Sequence, residues 1–345
     1  MSKILSIIIP TYNMEKYLNK CLDSLLISEN QHFIEVLVIN DGSKDSSLRI
    51  AQTYEQKYPN IFKVIDKENG NYGSCVNVGI RVATGKYVKI LDADDCFDSI
   101  SLEKFVKLLV SVDVDLFITN YRQVDENCTT KRLISYNIPS NQIISFDNIC
   151  STKEFAHSVA MHAVTYKREN LLNIGYKQTE GISYTDEEWI FCPMSTVKTA
   201  YYYDIYLYNY LIGRPGQTVN PEIAIRNIGH TIIGLKTMLS SKINLNGLSR
   251  PVGDYLDYRL NKRTCGIYRS FLLENNQLDL HDLLELDNYI KNINPNLYLK
   301  SEYDCVHRFI PYRYIFNWRK KKYMKKKFFV YTYEIMKKIH HIIVH

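Results

Sequence analysis

Short apolar runs alternate with amphipathic segments along roughly the first 120 residues of the chain. Ile4–Ile9 and Ile34–Ile39 are apolar runs closed by turn residues, as expected for strands buried on both faces of a parallel sheet. Three further strands are predicted at Phe62–Ile65, Tyr87–Leu91 and Leu116–Tyr121. Helical apolar spacing is found at Glu15–Leu26, at Ser46–Tyr58, from the Asn69–Gly73 turn to Val82, and at Ser101–Val110.

This alternation predicts an α/β fold with a doubly wound sheet, whose ligands bind at the carboxyl ends of the strands. Later helices are predicted at Asn227–Leu239, Tyr255–Leu273 and His281–Ile290. The pattern changes near Gly216–Pro221, where we place a domain boundary. We therefore expect an α/β domain over residues 1–220 and a helical C-terminal region over residues 221–345.

Composition narrows the class of protein. Apolar residues make up 46% of the chain, enough for a sizeable core. The eight cysteines are scattered without a C-x-x-C pair, which argues against a zinc ribbon or disulfide framework and favours reduced thiols in the cytoplasm. Because no apolar run reaches about 18 residues, the length of a membrane span, we expect a soluble protein.

Basic residues are concentrated at the end of the chain. The net charge is +6, and residues 306–345 alone contain eleven Lys or Arg against one acid, Glu334. Between Trp318 and Phe329, lysines are interleaved with aromatic residues, a pattern typical of attachment to an anionic bilayer surface. A solvated basic helix has the same pattern, and nothing resembles a nucleic-acid-binding module. We expect peripheral contact with the inner face of the cell membrane and no nucleic-acid partner.

The segment Asp92-Ala93-Asp94-Asp95 directly follows a predicted strand. Several carboxylates within four residues repel one another unless a cation or hydrogen-bond donors compensate. Oxygen ligands at a strand end are what Mg²⁺ or Mn²⁺ needs when it also coordinates a diphosphate. The competing interpretation is an acidic turn that caps the next helix, since a helix N-terminus favours negative charge.

Three more polar turns follow predicted strands. In Asp41-Gly42-Ser43 the aspartate can accept a hydrogen bond from a nucleobase N–H or a ribose hydroxyl. Pro10–Asn13 follows the first strand, and the glycine-rich Asn69–Gly73 turn follows the third. Each is also explained as an ordinary turn or helix cap.

Two later segments combine polar residues with a local structural signal. Asp186, Glu187 and Glu188 stand ahead of an apolar segment, which is also the pattern of a first helical turn. In the loop Tyr210–Thr218, the guanidinium of Arg214 can grip a diphosphate, although a solvated surface arginine fits equally. The histidines are scattered, and His162 is expected to line a cleft rather than to bind metal.

Taken in order, four segments resemble the family 2 glycosyltransferases. They are Ser6–Asn13, Val38–Asp45, Ala83–Tyr87 and Asp92–Asp95, and the match in residues and spacing covers about the first hundred residues. The resemblance implies the GT-A fold, with a Rossmann-like, mostly parallel central sheet flanked by helices and a D-x-D metal motif. It also implies an inverting enzyme that moves a sugar from a nucleotide diphosphate donor to an acceptor hydroxyl.

The resemblance also implies a donor site at the strand ends of the domain 1–220. Asp41 would bind the uracil or ribose of a UDP-sugar, with Thr11 nearby. Asp92 and Asp94 would contact the ribose and the donor sugar, and Asp94 or Asp95 would hold Mn²⁺ or Mg²⁺ on the diphosphate. Further donor contacts are expected from Pro10, Tyr12, Asn69, Gly70, Asn77, Ala93, Arg214 and Gln217. Asn77 follows Val76 where the family usually has arginine, which puts its diphosphate contact in doubt.

The catalytic base is mapped by the resemblance onto Asp186, where the family has an acid pair at the start of a helix. This chain has Thr185 in place of the first acid, and Glu187 remains an alternative, because the run of acids allows a slip of one residue. Family members also carry an Arg-x-Gly-Gln-Ser/Thr loop after a tyrosine-rich strand, similar to Arg214–Thr218, which favours donor binding or lid closure.

The sequence thus predicts a metal-dependent glycosyltransferase of capsular, exopolysaccharide or other surface-glycan assembly, with a glycan or lipid-linked saccharide as acceptor. A nucleotidyltransferase that forms the sugar nucleotide is one alternative, but it would have a glycine- and basic-rich phosphate loop in place of Pro10–Asn13. A catalytically silent nucleotide-binding scaffold, docked at the membrane by its tail, is the other.

Overall fold

The computed structural model describes residues 2–214, 217, 220–241, 243, 247–274, 278–307 and 311–321. The strands are β1 Leu5–Thr11, β2 Ile34–Asn40, β3 Phe62–Asp66, β4 Tyr87–Ile90, β5 Cys96–Phe97, β6 Leu116–Val124, β7 Thr130–Ile134, β8 Ile143–Ser145, β9 Val164–Lys167 and β10 Thr199–Leu211. The helices before the C-terminal region are α1 Leu18–Asp23, α2 Ser47–Lys57, α3 Asn71–Val82, α4 Ser99–Ser111, α5 Phe146–Cys150, α6 Lys153–Ser158, α7 Arg168–Asn173 and α8 Asp186–Trp189. The later helices are α9 Pro221–Arg226, α10 Ile228–Ser240, α11 Arg250–Arg269, α12 Leu280–Ile293, α13 Pro295–Ser301 and α14 Tyr314–Lys320.

One sheet forms the centre of the α/β part, in the order β3-β2-β1-β4-β9-β6-β10-β5. The first four strands are parallel, and β10 runs parallel to β6. The predicted GT-A-like α/β sheet is therefore confirmed. Every residue of β1 and of β4 is buried, whereas only Phe62 is buried in β3, at the edge of the sheet.

Strand β9 departs from the doubly wound pattern, because it runs antiparallel to both neighbours, β4 and β6. Because Tyr166 lies opposite Val88, the start of β9 lies beside Ile90, the last residue of β4. The short 3₁₀ turn Met161–Ala163, which directly precedes β9, therefore lies at the carboxyl edge of the sheet. This edge is where α/β folds bind ligands.

Among the helices of the α/β part, α1 and α4 differ most from their predicted lengths. The helix predicted at Glu15–Leu26 is shorter, and α1 spans only Leu18–Asp23. Helix α4 begins earlier than predicted, at Ser99, because the side chain of Asp98 accepts a hydrogen bond from the backbone N–H of Ser101 and caps the helix.

Helix α3 packs closely on β1. A Cβ atom at Gly79 would lie 2.5 Å from the side chain of Ile8, so a larger residue would push the helix off the strand. At the other end of the helix, a Cβ at Gly73 would lie 2.2 Å from the carbonyl oxygen of Thr179. Glycine at these two positions lets α3 lie between the sheet and the segment around Thr179.

Strand β10 is long and contains irregularities opposite β6. The register shifts between Tyr203 and Tyr206 and again between Tyr206 and Tyr208. Such bulges change the direction of side chains and are common beside active sites. After the second shift, Tyr208 lies opposite Tyr121 of β6, in the part of the strand that faces the carboxyl edge of β4.

The chain divides into two compact units, Met1–Gln217 with Ile243–Asp254, and Thr218–Lys242 with Tyr255–His345. Of the three C-terminal helices predicted from the sequence, α10 has its predicted length and is shifted by one residue, whereas α12 is longer than predicted at both ends. The helix predicted at Tyr255–Leu273 begins earlier, at Arg250, and its end, Ser270–Glu274, forms a π-helical turn.

The second unit contains a buried ion network around Arg319. This side chain is 5% exposed, and its Nε donates a 2.8 Å hydrogen bond to Oδ1 of Asp287. The hydroxyl of Tyr268 donates to the same oxygen at 2.5 Å, and the neighbouring Trp318 is buried. Trp318 and Arg319 were expected in a membrane-facing tail, but they are part of this core. The expected membrane contact falls on residues 322–345, which lie outside the described residues.

Within the described ranges, no helix is both long enough and apolar enough to cross a bilayer.

Candidate active site

The Asp92–Asp95 turn lies directly after β4, at the carboxyl edge of the sheet. Asp95 is 2% exposed and is fixed from two sides. Its Oδ2 accepts a 2.6 Å hydrogen bond from the hydroxyl of Tyr208, and its Oδ1 accepts a 2.7 Å bond from the backbone N–H of Leu211. Burial, followed by repulsion from Asp94 and Asp92, raises the pKa of Asp95 well above its usual range.

Asp92 is held by two tyrosines. Its Oδ1 accepts a 2.6 Å hydrogen bond from the hydroxyl of Tyr72, and its backbone N–H donates to the hydroxyl of Tyr208 at 3.1 Å. Burial and the charge of Asp94 raise the pKa of Asp92 to about 7. Crowded carboxyl groups with raised pKa values make a site in which a cation would be stabilising.

Asp94 forms an ion pair with Arg214, Oδ2 to Nε, in which both side chains are largely buried. The guanidinium of Arg214 also lies 5.5 Å from the ring centroid of Tyr17. Gln217 holds the loop that carries this arginine. Its Nε2 donates to the carbonyl of Leu211 at 2.6 Å, and its Oε1 accepts from the N–H of Gly213 at 2.9 Å. Arg214 and Asp94 therefore meet because the loop folds back onto the end of β10.

His162 joins the acidic turn because β9 runs antiparallel. Asp92, Asp95 and His162 each have one potential metal-ligand atom, and these three atoms lie within 4.8 Å of one another. The imidazole stacks on the ring of Tyr210 at 4.4 Å, and burial, followed by the charge of Lys89, lowers its pKa to about 3. A neutral imidazole beside two carboxyl groups is a donor set that fits Mn²⁺ and, through its oxygens, Mg²⁺. We predicted Asp94 and Asp95 as metal ligands and gave His162 no role; the grouping found here joins Asp95 to Asp92 and His162.

Lys89 lies buried in β4 beneath this group. Its Nζ donates to the carbonyl oxygens of His162 at 2.8 Å and Val164 at 3.2 Å. Burial lowers the pKa of this lysine to about 7. The side chain ties the Met161–Ala163 turn to the sheet and so determines where His162 lies.

The expected nucleobase end of the site lies at the ends of β1 and β2. Asp41 is buried, and its Oδ1 accepts hydrogen bonds from Nζ of Lys67 at 2.5 Å and from the N–H of Gly70 at 2.9 Å. Its carbonyl accepts from Nδ2 of Asn69 at 2.9 Å. The N–H of Asp41 donates to the carbonyl of Thr11 at 2.8 Å, so four of the predicted donor residues meet here.

Of the neighbouring predicted donor residues, Pro10 and Ala93 are buried, whereas the side chain of Tyr12 is 46% exposed. Tyr12 thus presents its ring to solvent directly beyond the end of β1. Its exposure leaves a face on which a planar base could stack.

Asn77 forms hydrogen bonds with the segment that leads to the predicted base. Its Nδ2 donates to the carbonyl of Gln178 and to Oε1 of Glu180, each at 2.9 Å, and its Oδ1 accepts from the N–H of Gln178 at 2.8 Å. The amide therefore positions this segment. Its predicted diphosphate contact remains a prediction.

Asp186 begins helix α8, and its charge is a cause of raised pKa values in Asp92, Tyr72 and Tyr210. Helix α8 also packs against the Met161–Ala163 turn, which carries His162. The predicted base therefore begins a helix that adjoins the candidate metal site. Glu188 is buried and turns inward, where its Oε2 accepts a 2.8 Å hydrogen bond from the N–H of Thr179. Glu187 is half-buried, and the choice between Asp186 and Glu187 remains a prediction.

Several residues that shape the site were missed in the sequence. They are Lys67, Tyr72, Lys89 and Tyr208, together with the position of His162 beside Asp92 and Asp95. Of these residues, only Lys89 could have been found from the sequence, since a lysine inside a buried strand needs a partner. Tyr72 and Tyr208 could not be singled out, because tyrosine is frequent along the whole sequence.

Comparisons with known proteins identify glycosyltransferases as relatives of this chain. Residues 6–175 match the family model described as "Glycosyl transferase family 2". The chain is 29% identical over 250 residues to the uncharacterized glycosyltransferase YibD of Escherichia coli, covering 70% of this chain and 71% of that protein. It is 44% identical over 98 residues to the uncharacterized glycosyltransferase MG025 homolog of Mycoplasma pneumoniae, which is 27% of this chain and 32% of that protein.

Two solved structures share the fold. The fragment 1–349 of Staphylococcus aureus TarS, in complex with UDP-GlcNAc, has a TM-score of 0.62 at 17% identity and covers 85% of this chain and 82% of its own. The mannosyltransferase PcManGT of Pyrobaculum calidifontis, in complex with GDP-Man and Mn²⁺, has a TM-score of 0.52 at 16% identity and covers 87% and 84%. At these identities the likeness establishes the architecture.

Proposed function

Because this chain belongs to glycosyl transferase family 2, we propose that it transfers a sugar from a UDP-sugar to an acceptor hydroxyl with inversion of configuration. The observation that carries the proposal is that helix α8, which begins with Asp186, packs against the turn that carries His162, and His162 groups with Asp92 and Asp95. A proton acceptor on one side and an anchor for a charged leaving group on the other is the arrangement that a direct displacement needs.

The donor would lie along the carboxyl edge of the sheet. Asp41 and Thr11 would receive the uracil, with the ring of Tyr12 beside it, and Asp92 and Asp94 would receive the ribose and the sugar. A uracil N–H is a donor suited to the buried Asp41 carboxylate, whose position is fixed by Lys67. The TarS fragment was solved with UDP-GlcNAc, which supports the choice of a uridine donor.

The reaction is a single in-line step. The acceptor oxygen forms a bond to the anomeric carbon while the bond from that carbon to the diphosphate oxygen breaks, and the electron pair leaves with UDP. Asp186 takes the proton of the attacking hydroxyl, a contribution typically worth about 10² to 10⁴ in rate. With one displacement and no covalent intermediate, an α-linked donor gives a β-linked product.

A divalent cation fits the residues that face the diphosphate. Asp92, Asp95 and His162 would hold it, with Asp94 as the further carboxylate that we predicted from the sequence. Bound Mn²⁺ or Mg²⁺ supplies positive charge against the negative charge that develops on the leaving nucleoside diphosphate. Arg214 can donate to the same diphosphate, because its guanidinium forms paired hydrogen bonds with phosphate oxygens.

We further propose that the domain 1–220 holds the donor and catalytic residues. The acceptor would be a glycan or a lipid-linked saccharide in surface-glycan assembly, as the family resemblance implies. A tail at the inner face of the cell membrane would bring the enzyme to a lipid-linked acceptor. The acidic residues at the strand ends and the proposed base Asp186 favour an enzyme over a catalytically silent scaffold, because a scaffold needs no proton acceptor beside its nucleotide.

Calorimetry tests the donor site. UDP and GDP are titrated into the full chain with Mn²⁺ and with EDTA, using wild type, Asp94→Ala and Asp254→Ala, the last being an exposed aspartate outside the site. We expect UDP to bind only with Mn²⁺, Asp94→Ala to weaken binding at least tenfold, and Asp254→Ala to match wild type. Binding of neither nucleotide, or binding indifferent to metal and to Asp94→Ala, would overturn the proposal.

A further inference from the structure

A groove of about 750 Å³ opens between the segment after β7 and helix α6. Its two walls follow the local periodicity of the chain. On one side Ser135 and Asn137 are exposed, and they alternate with the buried Tyr136. On the other side Glu154 and Ser158, four residues apart, share the exposed face of α6 with His157. Polar side chains thus face each other across the groove.

The floor of the groove is aromatic and firmly packed. The ring of Tyr136 lies 5.9 Å from that of Phe155 and 6.0 Å from that of Tyr202, both in edge-on geometry. The backbone N–H of Tyr136 donates to the hydroxyl of Tyr202 at 3.4 Å. A rigid apolar floor with polar walls is the composition of a small-molecule site.

The charge of the residues that line the groove restricts which class of ligand it can bind. Among the described residues that line the groove, Glu154 is the only one with a formal charge. Ile138 and Phe155 are apolar, and the others have hydroxyl, amide or imidazole groups. A phosphate or carboxylate ligand would meet a negative charge with no described guanidinium or ammonium to offset it. Groups that both donate and accept hydrogen bonds suit the hydroxyls of a neutral sugar.

Both walls lead directly to the active site. Ser135 follows Ile134, which pairs with Tyr121 in the sheet, and the ring of Tyr121 lies 5.1 Å from that of His162. On the other wall, α6 leads into the Met161–Ala163 turn, which packs against helix α8, the helix that begins with Asp186. The end of the groove at Ser158 thus lies three residues before the turn that packs against α8.

We propose that the groove binds the acceptor, and that the acceptor is an uncharged saccharide whose reactive hydroxyl points toward Asp186. This inference rests on the proposed function, because only a transferase has an acceptor. It adds the position of the acceptor and the class to which it belongs, with any charged lipid diphosphate lying outside the groove.

Saturation-transfer NMR on the full chain, with UDP and Mn²⁺ present, tests this placement. The probes are three neutral disaccharides (lactose, cellobiose and N,N′-diacetylchitobiose) and the anionic 3′-sialyllactose. Asn137→Trp fills the groove from an exposed position, and Asn60→Trp makes the same change at an exposed position before β3, at the opposite edge of the sheet. UDP affinity of every variant is measured by calorimetry.

We expect at least one neutral disaccharide to show saturation transfer that falls at least fivefold in Asn137→Trp and is unchanged in Asn60→Trp. Glu154→Lys should add a signal from 3′-sialyllactose. The inference is overturned if no neutral disaccharide gives a signal that Asn137→Trp reduces, or if 3′-sialyllactose binds wild type as well as lactose does. Absence of UDP binding in wild type would instead reject the proposed function, so the two failures are distinguishable.

Discussion

The hydroxyl of Tyr208 donates a 2.6 Å hydrogen bond to Oδ2 of Asp95, across 113 residues of sequence. The same hydroxyl accepts a 3.1 Å hydrogen bond from the backbone N–H of Asp92. One side chain of β10 thus ties both ends of the acidic turn after β4. The positions of the carboxyl groups therefore depend on a strand that contributes no acid to the turn.

Tyr208→Phe should weaken Mn²⁺ binding about 10- to 100-fold, the usual effect of removing a group that orients a metal ligand. Loss of the buried hydroxyl should also lower the free energy of unfolding by about 1–3 kcal/mol. Calorimetric Mn²⁺ titration in the presence of UDP and thermal unfolding measure the two effects. Tyr203→Phe, on the same strand, is the control, and equal Mn²⁺ affinity in both variants would contradict the prediction.

Asp186→Asn should reduce the rate of sugar transfer by about 10² to 10⁴, because the proposed base loses its ability to accept a proton. UDP affinity should change little, since Asp186 is placed on the acceptor side. Glu187→Gln is the matched variant, and we expect it to retain transfer within a few-fold. If Glu187→Gln is the variant that loses transfer, the base is Glu187 and the assignment from the resemblance is off by one residue.

Arg214→Ala should weaken UDP binding at least tenfold, since a hydrogen bond to a charged group contributes about 1.5–3 kcal/mol. Uridine, which has no phosphate, should bind the variant and wild type equally. Calorimetry with both ligands separates the two effects, and the exposed Arg250→Ala serves as control. An equal loss of uridine and UDP affinity would show that Arg214 acts on the fold of the site and not on the diphosphate.

Asp92 should make the metal-free protein less stable as the pH rises from about 4 to about 7. Its pKa is raised from 3.8 to about 7 in the folded chain, so the stability present below pH 4 is lost as the group ionises. His162 acts oppositely, because its pKa is lowered, and its contribution is lost as the pH falls below 6.5. The two effects offset each other in wild type, so the test compares variants.

The measured quantity is the free energy of unfolding of Asp92→Asn minus that of wild type, by denaturant titration in EDTA. We expect this difference to grow steadily from pH 4 to pH 7. In excess Mn²⁺ the trend should shrink, because the cation stabilises the ionised carboxylate. A difference that stays constant with pH would show that Asp92 ionises normally in the folded chain.

Gly73→Ala should disrupt transfer, because the new Cβ would lie 2.2 Å from the carbonyl oxygen of Thr179. The segment around Thr179 has to move, and with it the adjoining helix that begins at Asp186. Gly229→Ala is the control, since a Cβ there meets nothing within 4 Å. Transfer assays on both variants, with UDP calorimetry, should show a larger loss of transfer than of UDP binding in Gly73→Ala only.

Much of the fold could be predicted because the buried strands are nearly continuous apolar runs. β1, β2 and β4 lie within about two residues of their predicted bounds. The position of β9 between two strands of opposite direction could not be predicted in the same way, since the sequence of a four-residue strand does not indicate its direction in the sheet. Strand pairing depends on long-range contacts that local periodicity does not encode.

The donor residues could be proposed because their order along the chain resembles a family pattern. The structure brings Asp41, Asp92, Asp94 and Asp95 to one edge of the sheet, as the strand ends required. The partners of these acids were not predictable, because Tyr208 and Lys89 act through contacts distant in sequence. The amide of Asn77 bonds to Gln178 and Glu180, contacts that could not be predicted from the sequence, and its diphosphate contact stays a prediction.

The antiparallel course of β9 also means that residues 125–163 leave β6 at its end and return beside the same strand. They return at Val164, which lies opposite Ile118. On the way they add β7 to β6 and β8 to β10, and they end with the Met161–Ala163 turn, which Lys89 ties to β4. Evolution or design could therefore vary the earlier part of this segment to change the specificity for the receiving molecule, provided that the closing turn is kept.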